Sequence, residues 1–135
     1  MKQESFTADT KLVQALDKVS QPVSCSEART LFTQGEACTG LYILESGEAA
    51  LVLKSSQGRP VMCLIVHAGS LIGLPALVGM KPYTLTAMVR PGSQVRFVTR
   101  ADFEGIIEAE PSLYPGVLHL LAAEVCAAQL ALFEI

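Results

Sequence analysis

With 135 residues, 50% of them hydrophobic and only 17% charged, the chain is long enough to bury one real core, and general disorder is excluded. Its formal charge of -3 lacks the basic excess or clustered basic face that nucleic-acid-binding surfaces carry. The opening Met1-Lys2-Gln3-Glu4-Ser5 is polar with no apolar run behind it, so no secretory signal is read and a cytoplasmic location is expected.

In chain order, Leu12, Val13, Leu16 and Val19 recur at helical spacing, which predicts a short amphipathic helix over about 9–19. The period then changes. Short β-rich runs follow at 30–32, 41–44, 49–53, 61–66, 84–89 and 95–98. Most are separated by glycine turns: Gln34-Gly35, Ser46-Gly47, Gln57-Gly58, Ala68-Gly69 and Pro91-Gly92. Evenly spaced short strands with this punctuation predict a sandwich or barrel. No linker marks a second domain, so 1–135 is read as one.

The helical period returns after Val98. Thr99 followed by Asp102 predicts a cap for a helix over about 100–109, which Pro111 ends. A second helix starts near Ser112, because Pro115 is tolerated in a first turn. On it Tyr114, Leu118, Leu121, Val125, Ala128, Leu132 and Ile135 alternate four and three apart, forming an a/d seam. Leu113, Val117, Leu120, Ala127 and Ala131 form a second apolar row. Such a helix must be covered on most sides. Residues 113–133 are long enough to cross a bilayer, but Pro115 and Gly116 interrupt the start and His119, Glu124 and Gln129 fall inside. A mid-span carboxylate costs about 2.5–3.5 kcal/mol on insertion scales, so burial against protein is the expectation. Either the helix is wholly buried in the core, or one row packs on the β-rich body and the seam pairs with a second copy. A domain this small has few elements to wrap the helix, which favours the homodimer.

Catalytic and metal chemistry find little support. Cys25, Cys38, Cys63 and Cys126 include no close pair and are expected to be free thiols. His67 and His119 are far apart on different elements, too few for a cupin-type metal site. Cys63 and His67 share one face of a strand, and a buried structural pair is the plainer reading. The stretch 73–81 lacks the Gly-Lys-Ser/Thr ending of a phosphate loop. No nucleophilic constellation is visible, and neither catalytic residue, metal nor cofactor is expected.

One resemblance sharpens the picture. Phe32-Thr33-Gln34-Gly35-Glu36, Leu41-Tyr42-Ile43-Leu44-Glu45-Ser46-Gly47, Gln57-Gly58-Arg59, Gly69-Ser70-Leu71-Ile72-Gly73 and Val98-Thr99-Arg100-Ala101-Asp102-Phe103 occur in order. This series resembles the cyclic-nucleotide-binding domains of the catabolite-activator and fumarate-nitrate-regulator type over about residues 12–130. The resemblance implies a mainly β fold with flanking helices: an antiparallel β-roll (a jelly roll), a short N-terminal helix and a long C-terminal dimerisation helix. It implies a ligand-sensing regulatory role rather than an enzyme. In that family a helix-turn-helix domain usually follows the long helix; this chain ends at Ile135, so no direct nucleic-acid binding is expected of it. Haem-binding relatives use ligands of the Cys63 and His67 kind.

The resemblance also places the ligand site, at Gly73, Leu74, Pro75, Ala76, Tyr83 and Thr84. The family cassette reads approximately Gly-Glu-Leu-Ala, followed by Arg and a small residue. The Glu binds the ribose hydroxyl and the Arg neutralises the cyclic phosphate. Here Leu74 takes the Glu position, Tyr83 the Arg position, and Pro75 withholds an amide; only Thr84 suits the family role. Lys81 nearby is a poor copy of an arginine fork. The polar pair that faces the purine in some members falls on Ala128 and Gln129. Conventional binding of cAMP or cGMP is therefore not expected. Two readings stay open: a sensor for a different, unidentified small effector, and a ligand-free dimerisation or scaffold module. An open pocket bounded by Leu74 and Tyr83 favours the first, and side chains filling it favour the second.

Overall fold

Asp9 and Thr99 set two of the helices by the same device. Each stands in extended conformation and accepts a backbone N–H in the first turn, Asp9 from Leu12 at 2.8 Å and Thr99 from Asp102 at 3.1 Å. In the computed structural model, which describes residues 2–4 and 8–133, they start α1 (Thr10–Asp17) and α3 (Arg100–Ala109). Among the described residues the strands are β1 (Lys2–Glu4), β2 (Gln21–Val23), β3 (Arg29–Phe32), β4 (Gly40–Ser46), β5 (Glu48–Lys54), β6 (Pro60–His67), β7 (Leu71–Ile72), β8 (Thr86–Val89) and β9 (Gln94–Thr99). A short helix α2 (Leu74–Gly79) lies between β7 and β8, and α4 (Tyr114–Phe133) closes the chain after a 3-10 turn at Pro111–Leu113.

The strands form two facing sheets, ordered β1-β6-β5-β8-β3 and β2-β9-β4-β7. All pairings are antiparallel except β1 on β6, which is parallel, so the roll is not antiparallel at that edge. Inward residues such as Leu41, Ile43, Leu51, Leu64, Val66 and Val98 are almost wholly buried between the sheets. Leu12 and Leu16 of α1 and Phe103 and Ile107 of α3 extend this core. Arg96 on β9 holds α1 to the roll by donating to the Ser20 hydroxyl at 2.6 Å beside Asp17 at 3.4 Å.

The fate of α4 follows from its two rows. Leu113, just ahead of it, and Val117, Leu120, Ala127 and Ala131 on it enter the core. Tyr114, Leu118, Val125 and Leu132 stay 47%, 62%, 55% and 44% exposed, so α4 is not a wholly buried core helix. Leu121 and Ala128, also placed in the expected seam, are half-buried against the roll. Leu130 and Phe133 add exposed apolar surface that the heptad did not anticipate. Ile135, the last seam position, lies outside the described residues. By length and composition alone Pro111–Phe133 could cross a membrane; its inner row packs on the roll instead. The first turn passes so close to Asp9 that a Cβ at Gly116 would collide with the Asp9 carboxylate.

Candidate functional site

Residues 73–84 loop from one sheet to the other and bring most of the expected site together. Gly73 adopts φ 93° and starts α2; a Cβ there would press on the Tyr83 ring at 3.1 Å. Leu74 and Pro75 form the first turn of α2, where Pro75 offers no N–H. Gly73, Pro75, Ala76, Tyr83 and Thr84 line one small cavity with Phe32, Leu51, Ile72, Leu85 and Glu124. Leu74 does not: its side chain is fully buried in the core, so a carboxylate at position 74 would face hydrocarbon. Lys81 is exposed and is not part of the lining.

Tyr83 is fixed on four sides. Its N–H donates to the Glu36 carbonyl at 2.9 Å, and its carbonyl accepts from the Gly35 N–H at 2.8 Å. Its hydroxyl donates to the Gly40 carbonyl at 2.7 Å. Its ring stacks on Phe32 with centroids 3.8 Å apart and planes 8° from parallel, a contact worth about 0.5–1.5 kcal/mol beyond its burial. Burial pushes the phenol pKa up, so the hydroxyl remains a neutral donor. Only 3% of Tyr83 is exposed, and the cavity beside it holds about 20 Å3, room for one water. The pocket bounded by Leu74 and Tyr83 is filled by side chains.

Arg100 grips the site from outside. Its guanidinium donates to the Leu77 carbonyl at 2.9 Å and to the Cys38 carbonyl at 3.2 Å, joining α2, the β3–β4 loop and α3. It faces backbone, not the cavity.

The β-roll with its short N-terminal helix and long closing helix is the architecture that the resemblance implied, and the profile of the cyclic nucleotide-binding domain matches residues 22–110. The chain belongs to the cyclic nucleotide-binding domain family. No curated protein matches the sequence. Among solved structures, the catabolite activator protein of Thermus thermophilus is 20% identical, with a TM-score of 0.77 over 90% of this chain and 57% of its own. The c-di-GMP responsive regulator CLP of Xanthomonas campestris has a TM-score of 0.77 at 12% identity, covering 93% of this chain and 62% of its own. The sensor domain of the regulator DNR from Pseudomonas aeruginosa scores 0.69 at 19% identity over 87% and 79%. This cyclic nucleotide-binding domain thus shares the fold of such regulators and spans little more than half of the Thermus protein.

Five lining residues of this family member were not among the expected site residues: Phe32, Leu51, Ile72, Leu85 and Glu124. Phe32 supplies the surface on which Tyr83 stacks. Glu124, from α4, lines the cavity from the opposite side; its only sequence signature was a charge inside an apolar helix. Of the expected purine-facing positions, Ala128 lies against the roll and Gln129 is exposed. Cys63 and His67 are not a buried pair: both are half-buried, on the face of β6 opposite to the core residues Met62, Leu64 and Val66. Among the described residues no group of three or more His, Cys, Asp or Glu could hold a metal ion, and the four cysteines are free thiols.

Proposed function

We propose that this domain is the regulatory module of a transcription regulator of the catabolite-activator type, and that its cassette does not take cAMP or cGMP. The observation that carries this reading is Tyr83. By the resemblance it takes the position of the arginine that neutralises the phosphate, and its buried ring and hydroxyl leave a cavity of only about 20 Å3. A cyclic phosphate would meet no cation among the lining residues, beside the carboxyl of Glu124. Loss of a buried charge partner costs about 4 kcal/mol, about a thousandfold in affinity. The role is non-catalytic and cytoplasmic, and it is exercised through a homodimer. Tyr114, Leu118, Val125 and Leu132 of α4 form its contact, with Leu121 and Ala128 at the margin. DNA contact is not assigned to these residues, whose net charge is -3. Calorimetry tests the cassette: cAMP and cGMP are expected to give no saturable heat up to about 1 mM, and micromolar affinity for either overturns the reading.

A further inference from the structure

A second cavity runs along one flank of α4. It is a groove of about 250 Å3 between the helix and the roll, walled by Leu53, Met62, Leu64, Val125 and Leu132. Pro75, Thr84, Leu85 and Glu124 line both this groove and the remnant beside Tyr83, so the two are contiguous. Leu53 from β5, Met62 and Leu64 from β6, Pro75 from α2 and Leu85 before β8 bring no charge to it. Among the described residues Thr84 is the other polar side chain of the groove, and Glu124 is its one ionisable group. Among the described residues the Glu124 carboxyl has no hydrogen-bond or ion-pair partner. Isolated carboxyls in hydrocarbon surroundings are costly unless a cation or donor meets them.

We propose that this groove binds a small apolar molecule carrying one primary amine, its ammonium paired with the Glu124 carboxyl. The apolar walls fit a hydrocarbon body and the single carboxyl fits a single cation, with the Thr84 hydroxyl available as a further acceptor. An anionic ligand finds no cation there, so the charge preference is the reverse of a phosphate site. Burial raises the carboxyl pKa to about 8, so near neutral pH the empty groove holds a proton. Binding of an ammonium ion sends that proton to the buffer and leaves a carboxylate–ammonium pair.

The inference rests on the reading that the cassette does not hold a phosphate. Its test is calorimetry on the full chain with hexylamine, hexanol, hexanoate and cAMP, in two buffers of different ionisation enthalpy. Hexylamine is expected to bind about tenfold or more tighter than hexanol, with hexanoate weakest and a buffer-dependent heat that reports proton release. Glu124→Gln is expected to bring hexylamine down to the level of hexanol and to leave hexanol binding intact, which also shows that the variant is folded. Hexylamine binding no tighter than hexanol, or unchanged in Glu124→Gln, overturns the amine inference. Tight cAMP binding instead overturns the closed-cassette reading, whatever the amines do.

Discussion

Replacing Glu124 by Gln changes how stability depends on pH, and the sign follows from the groove. The carboxyl is partly buried among apolar side chains with no cation beside it, which raises its pKa from 4.5 to about 8. The unfolded chain therefore releases this proton near pH 4.5, whereas the folded chain keeps it until about pH 8. Stability associated with the neutral carboxyl is fully present below the unfolded pKa, falls between the two values and is lost above the upper one. At about 1.36 kcal/mol per pKa unit the whole interval caps the effect at about 5 kcal/mol. The groove is open to water on one side, and about 2 kcal/mol is a fairer figure. Glutamine cannot ionise. Urea unfolding of both proteins at one fixed protein concentration should give similar midpoints at about pH 5. At about pH 9 the variant should be the more stable by about 2 kcal/mol. A difference between the two proteins that stays constant from acid to alkaline pH would refute the placement of this carboxyl in an apolar groove.

Leu118 is 62% exposed and outside the core, so Leu118→Glu should leave the fold intact while placing two like charges across a symmetric helix pair. Ultracentrifugation should show the dimer replaced by a 14.4 kDa monomer; an unchanged dimer means that α4 is not the contact. Tyr83→Phe keeps the stack on Phe32 but removes the hydroxyl that donates to the Gly40 carbonyl at 2.7 Å. Unfolding should be easier by about 1–2 kcal/mol, and no loss would show that the hydroxyl does not hold the cassette shut.

Helices α1, α3 and α4 and the strands of four or more residues were legible in the sequence, whereas the strands of two or three residues and the short helix α2 were not. α3 matches its expected bounds because Thr99, Asp102 and Pro111 are local chemical instructions. The strands β1, β2 and β7 have three, three and two residues, too few to show a period of two. α2 reads as a loop because Gly73 precedes it, Pro75 sits in its first turn and Gly79 is its last residue. The resemblance put Tyr83 at the expected site, but its contacts with Phe32 and Gly40 depend on residues that only the tertiary fold brings near. Along α4 the spacing set one apolar row toward the roll and the a/d seam outward, without separating Leu121 and Ala128 from the rest of the seam. At 3.6 residues per turn the column of Leu121 and Ala128 lies nearer the inner row of Val117 and Ala131 than does that of Leu118 and Val125. The roll covers the first column and leaves the second outside.

These positions decide which part of the domain a ligand could move. The cassette is held by the four contacts of Tyr83 and by the Arg100 bridge to Leu77 and Cys38, and its cavity admits no more than a water. An effector can shift an equilibrium only through contacts that differ between its two states. In the groove those contacts fall on α4, since Glu124, Val125, Ala128 and Leu132 form one wall. Val125 and Leu132 also carry much of the apolar surface assigned to the second copy. A molecule seated on Glu124 therefore bears on the helix that pairs the subunits, with no need for the cassette to rearrange. Linkage makes the consequence reciprocal: whatever factor separates amine affinity in dimer and monomer must also appear in the dimerisation constant with and without amine. Ultracentrifugation with and without hexylamine measures the second factor, and calorimetry on the dimer and on the Leu118→Glu monomer measures the first. Equal, non-unit factors would identify α4 as the responsive element. Amine binding with no effect on association would make the groove a ligand site uncoupled from the pairing of subunits.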